Sequence, residues 1–125
     1  MALAEISAEQ MAVYQRTARR REAERRAAAA ARRERAWLVA AQAADLLKQQ
    51  FGAKRVVAFG SLVDNGRFRA DSDIDLAVYG IEPALFLKAW HIIDELAPDI
   101  EIDLVDMAIA KEWVYQVLAE RGVDL

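Results

Sequence analysis

Two aspartates one residue apart, Asp73 and Asp75 in the stretch DSDIDLAVYG, stand out in this 125-residue chain, together with a third acid, Asp103 in EIDLVD, and an upstream Gly60-Ser61 pair. In an extended strand alternate side chains share a face, so Asp73 and Asp75 point the same way with Cα atoms about 6 to 7 Å apart, while Ile74 and Leu76 point into the core. Two carboxylates at that separation repel by roughly 2 kcal/mol at an effective dielectric of about 20, and Asp103 on a neighbouring strand adds comparable terms. Such a cluster attracts cations. The chain has no cysteine and a single histidine, His91, which removes disulfides, thiolate zinc sites, cysteine nucleophiles and iron–sulfur clusters and disfavours a histidine zinc site. Oxygen-only ligands beside a Gly-Ser turn describe Mg²⁺ or Mn²⁺ holding a nucleoside triphosphate.

The elements that must position these residues follow from periodicity. Lys54 to Phe59 (KRVVAF) reads as a short buried strand ending at Gly60-Ser61, and Asp73 to Tyr79 as a second strand closed by Gly80. Between them Leu62 to Ser72, which contains Asn65-Gly66, reads as a loop or a short helix followed by a loop. Pro83 stands where a first helical residue belongs, and Leu85, Ala89, Ile92 and Leu96 recur at helical spacing until Pro98. Ile100, Ile102 and Leu104 alternate with Glu101, Asp103 and Val105 in a third strand, and Ala108 to Arg121 is predicted as a last helix capped by Gly122. His91, between Trp90 and Ile92, reads as a surface or partly buried side chain, and Trp90 and Trp113 as core or contact-surface residues.

The first fifty residues contain neither Pro nor Gly and are rich in Ala, Arg, Glu, Gln and Leu, which predicts a long helix or a helical pair capped by Gly52. Ser7 with Gln10 forms a candidate capping box, leaving residues 1 to 6 as a frayed start or a separate turn. An apolar stripe begins only at Trp37 and continues through Ala40, Ala41, Ala44 and Leu47. Upstream, the Arg-rich run around Ala27 to Ala31 reads either as a solvated helix held by Arg–Glu pairs, such as Glu22 with Arg25 and Arg26, or as an arm whose Ala face lies on another chain. No aromatic residues interleave the arginines, so direct nucleic-acid binding is the least supported reading.

A composition of 55% hydrophobic and 30% charged residues describes one globular domain. No stretch approaches the roughly 18 apolar residues of a membrane span, and MALAEISAEQ lacks a secretory signal, so a cytoplasmic location is expected. Residues 1 to 50 carry ten Lys and Arg against six Asp and Glu, a net +4, whereas residues 51 to 125 carry seven against fourteen, a net −7. An acidic body of that kind repels phosphate unless cations neutralise its carboxylates.

Gly60-Ser61, eleven further residues, Asp73-Ile74-Asp75-Leu76 and then Asp103 together resemble the DNA polymerase β nucleotidyltransferase superfamily, and at this size its minimal (MNT) members. The resemblance runs from about Trp37 to Leu125, including the Arg121-Gly122-Val123 ending. It implies an α/β (α+β) fold in which a small mixed sheet is flanked by helices, with residues 37–125 as the nucleotidyltransferase domain and 1–36 as a helical arm. It also implies that Gly60 and Ser61 hold the β and γ phosphates of ATP with the help of a helix N-terminus. In the same way Asp73 and Asp75 hold the metal, and Asp103 binds the catalytic ion and helps deprotonate the attacking hydroxyl. This sequence departs from the pattern after Ser61, where Leu62-Val63-Asp64-Asn65-Gly66 replaces an alanine-arginine-glycine run. Arg67 or Arg69 is expected to reach the triphosphate instead, unless the pocket favours another nucleotide.

About twenty residues follow Asp103, leaving no room within them for a substrate domain, so the acceptor is expected to be held by another chain or by the arm. In this respect the chain resembles the antitoxins of HEPN–MNT pairs, which implies transfer of AMP to a tyrosine of a HEPN ribonuclease toxin. The alternatives are a non-catalytic module that neutralises its partner by binding, or a small-molecule nucleotidyltransferase assembled as a homo-oligomer through the N-terminal helix.

Overall fold

A computed structural model describes residues 5–64 and 66–125. Residues 1–4 of the expected frayed start, and Asn65 of the Asn65-Gly66 pair, lie outside the described residues. The N-terminal segment is one unbroken helix, α1 (Ala8–Phe51), not a pair. Its capping box is closed on both sides: the Gln10 N–H donates to Ser7 Oγ at 3.0 Å, and the Ser7 N–H donates to Gln10 Oε1 at 2.9 Å. Gly52 ends it at φ +73°, a left-handed conformation that costs glycine little. The helix buries Ala36, Val39, Ala40, Ala43, Ala44 and Leu47. Of the predicted stripe, Ala41 faces solvent and Trp37 is only half-buried, because the line of contact runs along small residues that let α1 lie close to the sheet. Upstream, Glu22 pairs with Arg25 at 3.0 Å and Arg26 at 3.6 Å, as the spacing anticipated.

The remaining elements are β1 (Arg55–Phe59), a 3-10 turn (Gly60–Leu62), β2 (Ile74–Tyr79), α2 (Pro83–Asp94), β3 (Ile102–Asp106), α3 (Glu112–Arg121) and β4 (Val123–Asp124). The sheet is mixed, in the order β3-β2-β1-β4. β1 pairs antiparallel with β2 and with β4, and β2 pairs parallel with β3. Several boundaries shift from their expected places. α2 stops at Asp94, so Leu96 lies beyond it, and Ile93 instead of Ile92 is the fully buried residue. α3 starts at Glu112, because Asp106 Oδ1 accepts the Ala108 N–H at 3.0 Å and folds Met107–Ile109 into a turn first. Gly122 leaves α3 in an extended conformation and leads straight into β4, a strand that sequence reading missed. Arg55 ties β4 to β1 by donating to Asp124 at 2.6 Å.

The two-residue period of the strands sorts side chains onto two faces. Val56, Ala58, Ile74, Leu76, Val78, Ile102 and Leu104 join α1 and Ala89 and Ile93 of α2 in the main core. Val57, Phe59 and Ala77 face the other way, onto Met107 and Val114 and Leu118 of α3, in a smaller cluster. Among the described residues no helix is long and apolar enough to cross a membrane.

Candidate active site

Asp75 in β2 lies opposite Asp103 in the parallel register with β3 and opposite Phe59 at the end of β1, so all three strands converge on it. Register neighbours share a face, which puts Asp75 and Asp103 on the α3 side of the sheet at the end α3 leaves uncovered. Asp73 sits one residue ahead of β2, not within it, and is half-buried beside them. Among the described residues none of the three acids has a basic partner in an ion pair. The carboxyl of Asp75 is pushed up from 3.8 to about 6, chiefly by burial and then by the charges of Asp103 and Asp73. Asp103 is also raised, by burial first and then by Asp73 and Asp94. Glu101, exposed at the edge, is raised by the charges of Asp73 and Asp103.

This is the electrostatic signature of a place that gains from a cation. Gly60 makes the approach possible: its φ is +76°, and a Cβ built there would collide with Asp75 Oδ2. Among the described residues no three acidic or imidazole side chains form a ready-made metal cage. A cation seated by these acids would therefore complete its shell with water and phosphate oxygens, which is the habit of Mg²⁺. The donor set, oxygen-only and uncompensated, fits that ion.

The Gly-Ser turn is a single 3-10 turn, not the start of a longer helix, so the helix N-terminus implied for phosphate binding is absent here. Both the Val63 and Asp64 N–H groups donate to Gly60 O at 3.2 Å and fold the turn. Beside it opens a cleft of about 760 Å³, lined by Gly60, Ser61, Val63, Asp64 and Arg67 on one side and by Val117, Glu120 and Arg121 of α3 on the other. The structure thus brings Arg67 to the Gly-Ser turn. Arg69 goes elsewhere: it lines a separate groove against Arg25, Arg26 and Ala29 of α1, where its N–H donates to Ser72 Oγ at 2.8 Å.

Sequence reasoning missed residues that hold the site together. Arg33 Nε of α1 donates to Leu62 O at 2.9 Å, and its guanidinium lies 5.9 Å from the Trp37 ring centre. Arg32 Nη2 donates to Asp99 O at 2.9 Å and reaches Ser72 O at 3.5 Å, while Arg35 pairs with Asp99. These arginines thus grip the segments that flank Ser61, Asp73 and Asp103. Their only visible signal was the Arg-rich run itself, whose targets lie far away in sequence. Arg121 likewise stood in the Arg-Gly-Val ending without a hint that it faces Gly60-Ser61. His91 is exposed and pairs with Glu95 at 3.1 Å, Trp113 is exposed, and Trp90 packs on the core and donates to Ile102 O at 2.6 Å.

The model of the family described as polymerase beta, nucleotidyltransferase matches residues 41–123. No curated protein matches the sequence. Solved structures similar in fold include the following three. A toxin–antitoxin MntA–HepT mutant shares 21% identity over 68% of this chain and 70% of that one, with a TM-score of 0.57. A toxin–antitoxin structure with AMP-PNP shares 25% over 64% and 66%, with a TM-score of 0.54. A tri-AMPylated Shewanella oneidensis HEPN toxin in complex with MNT antitoxin shares 22% over 70% and 69%, with a TM-score of 0.53. With two thirds of its length matched, including the Gly-Ser turn and all three acids, the chain belongs to the polymerase β nucleotidyltransferase family.

Proposed function

We propose that this protein is a divalent-cation-dependent nucleotidyltransferase that moves AMP from ATP to a tyrosine of a HEPN toxin, acting as the antitoxin of a cytoplasmic toxin–antitoxin pair. The observation that carries this reading is the acid cluster, in which Asp75 is half-buried, uncompensated and pressed against Gly60. Its support comes from family membership and from folds shared with an AMP-PNP complex and an AMPylated toxin complex. The catalytic unit is residues 37–125, and residues 1–36 are the arm, whose end docks on that unit through Arg32, Arg33, Arg35 and the buried Ala36 while its upstream part meets the partner. That division is supported by a family match that begins within α1 at residue 41.

Asp73 and Asp75 hold the cation, with Asp103 beside them. A bound divalent cation supplies charge neutralisation at the α-phosphate and the departing pyrophosphate. Gly60 and Ser61 bind the β and γ phosphates through backbone N–H groups and the Ser hydroxyl, and Arg67, not Arg69, adds positive charge from the loop. Asp103 accepts the tyrosine proton on a carboxylate oxygen as the tyrosine oxygen bonds to the α-phosphorus and the bond to the β-phosphate oxygen breaks, releasing pyrophosphate.

The full-length protein is incubated with a purified HEPN toxin, Mg²⁺ and ATP labelled at either the α or the γ phosphate. Label is expected on the toxin from the α position alone, and to vanish when the acceptor tyrosine is changed to phenylalanine. No label, or label from the γ position, would overturn the reading.

A further inference from the structure

The loop after Ser61 carries an acid, Asp64, where the family resemblance leads one to expect a cation. Two guanidiniums converge on that acid from different elements: Arg67 of the loop at 3.6 Å and Arg121 of α3 at 3.3 Å. Asp64 is the less exposed member, at 29% against 75% for Arg67 and 67% for Arg121. Its backbone N–H is bonded to Gly60 O at 3.2 Å, which ties its main chain to the Gly-Ser turn, and its carboxylate draws both arginines to the edge of the cleft.

We propose that Arg121 is the principal triphosphate-binding cation of this protein, supplied by the last turn of α3 beside the loop's Arg67, with Asp64 holding it until phosphate takes over. The inference rests on the nucleotidyltransferase reading and adds a binding residue to it. Arg121 is better placed than Arg67 on physical grounds. It belongs to a packed helix, and a guanidinium carried by a helix loses less freedom on binding than one on a Gly66-containing loop. The planar fork can engage two phosphate oxygens at once. Solvent-exposed ion pairs are weak, so exchanging the Asp64 carboxylate for a polyphosphate costs little.

Calorimetric titration of the full-length protein with Mg²⁺–AMP-PNP and, separately, with AMP tests the assignment in wild type, Arg121→Gln, Arg121→Lys, Asp64→Asn and Ser61→Ala. Arg121→Gln is expected to weaken AMP-PNP binding about tenfold or more and to leave AMP binding unchanged, since AMP lacks the outer phosphates. Arg121→Lys restores only part of the loss, because an ammonium cannot grip two oxygens in parallel. Asp64→Asn binds AMP-PNP at least as tightly as wild type, since a competitor has been removed. If Ser61→Ala loses affinity while Arg121→Gln does not, the cleft holds phosphates without Arg121 and the proposal falls. Equal loss of AMP-PNP and AMP in Arg121→Gln would reassign the residue to structure and also overturn it. A wild-type protein that binds neither ligand would overturn the nucleotidyltransferase reading itself, with the clamp falling as a consequence.

Discussion

On the face of the sheet covered by α1 and α2, Leu76 and its neighbours Ile74 and Val78 are sealed in an apolar core, whereas one residue along the same strand Asp75 turns to the other face and meets Asp103 and Gly60. α3 is ten residues long and covers Val57, Phe59, Ala77 and Met107 on that second face, with Tyr79 and Val105 partly buried beside them. The two-residue period of β2 thus lets one six-residue strand serve stability and chemistry at once. The contrast implies that substitutions on the first face cost folding, and that those on the second cost reaction while relieving the apo protein of charge repulsion.

The largest effect on stability belongs to the closed face. Leu76→Ala removes a fully buried side chain and is expected to cost about 3 kcal/mol, read as a shift in the denaturant midpoint. A smaller loss there than in any acid variant would break the contrast. Asp75→Asn should do the reverse, lowering AMP transfer about a thousandfold or more while raising the melting temperature. Because the folded carboxyl titrates near 6 and the ordinary one near 3.8, the unfolded chain ionises first. The penalty of ionised Asp75 is absent below about 3.8 and complete above about 6. The gain in Asp75→Asn should therefore be full at neutral pH, about 2 to 4 °C after allowance for solvent screening, and fade towards pH 4 in metal-free buffer. A gain that grew on acidification would contradict the assignment.

Intermediate effects are expected along α1, which runs unbroken past residue 36. Arg33→Ala frees the Leu62 carbonyl next to the Gly-Ser turn and is expected to cost about 1 kcal/mol of stability and several-fold in KM for ATP. Removing residues 1–31 spares Arg32, Arg33, Arg35 and the buried Ala36, so the domain should fold and bind Mg²⁺-ATP yet lose partner binding in a pull-down. Undiminished partner binding would show the upstream helix to be a solvated extension. The smallest effect belongs to His91→Gln, whose exposed pair with Glu95 is worth less than about 0.5 kcal/mol, with melting temperature and transfer both unchanged.

What the sequence made legible was whatever repeats or caps locally. The alternation in β2 and β3, Pro83 at the start of α2, the Ser7–Gln10 box and the left-handed Gly52 each declare themselves within a few residues. The acids and the Gly-Ser turn were legible because their types and order suffice. β4 was not, since two residues have no period and its existence depends on pairing with Val57 and Ala58 of β1. Nor were Arg32, Arg33 and Arg121, whose partners lie 29 to 67 residues away and whose composition matches any solvated helix. Arg67 and Arg69 were indistinguishable in sequence, yet on either side of the buried Phe68 one lies at the Gly-Ser cleft and the other against α1.

The most direct measurement is the intact mass of a HEPN toxin co-expressed with the wild-type protein or with Asp75→Asn, alongside the melting temperature of each variant. Toxin carrying AMP adducts only with the wild type, and an Asp75→Asn protein at least as stable as the wild type, is the result this reading requires. Equal adducts with both proteins, or adducts with neither while the toxin is still neutralised, would contradict transfer by the acids of the open face.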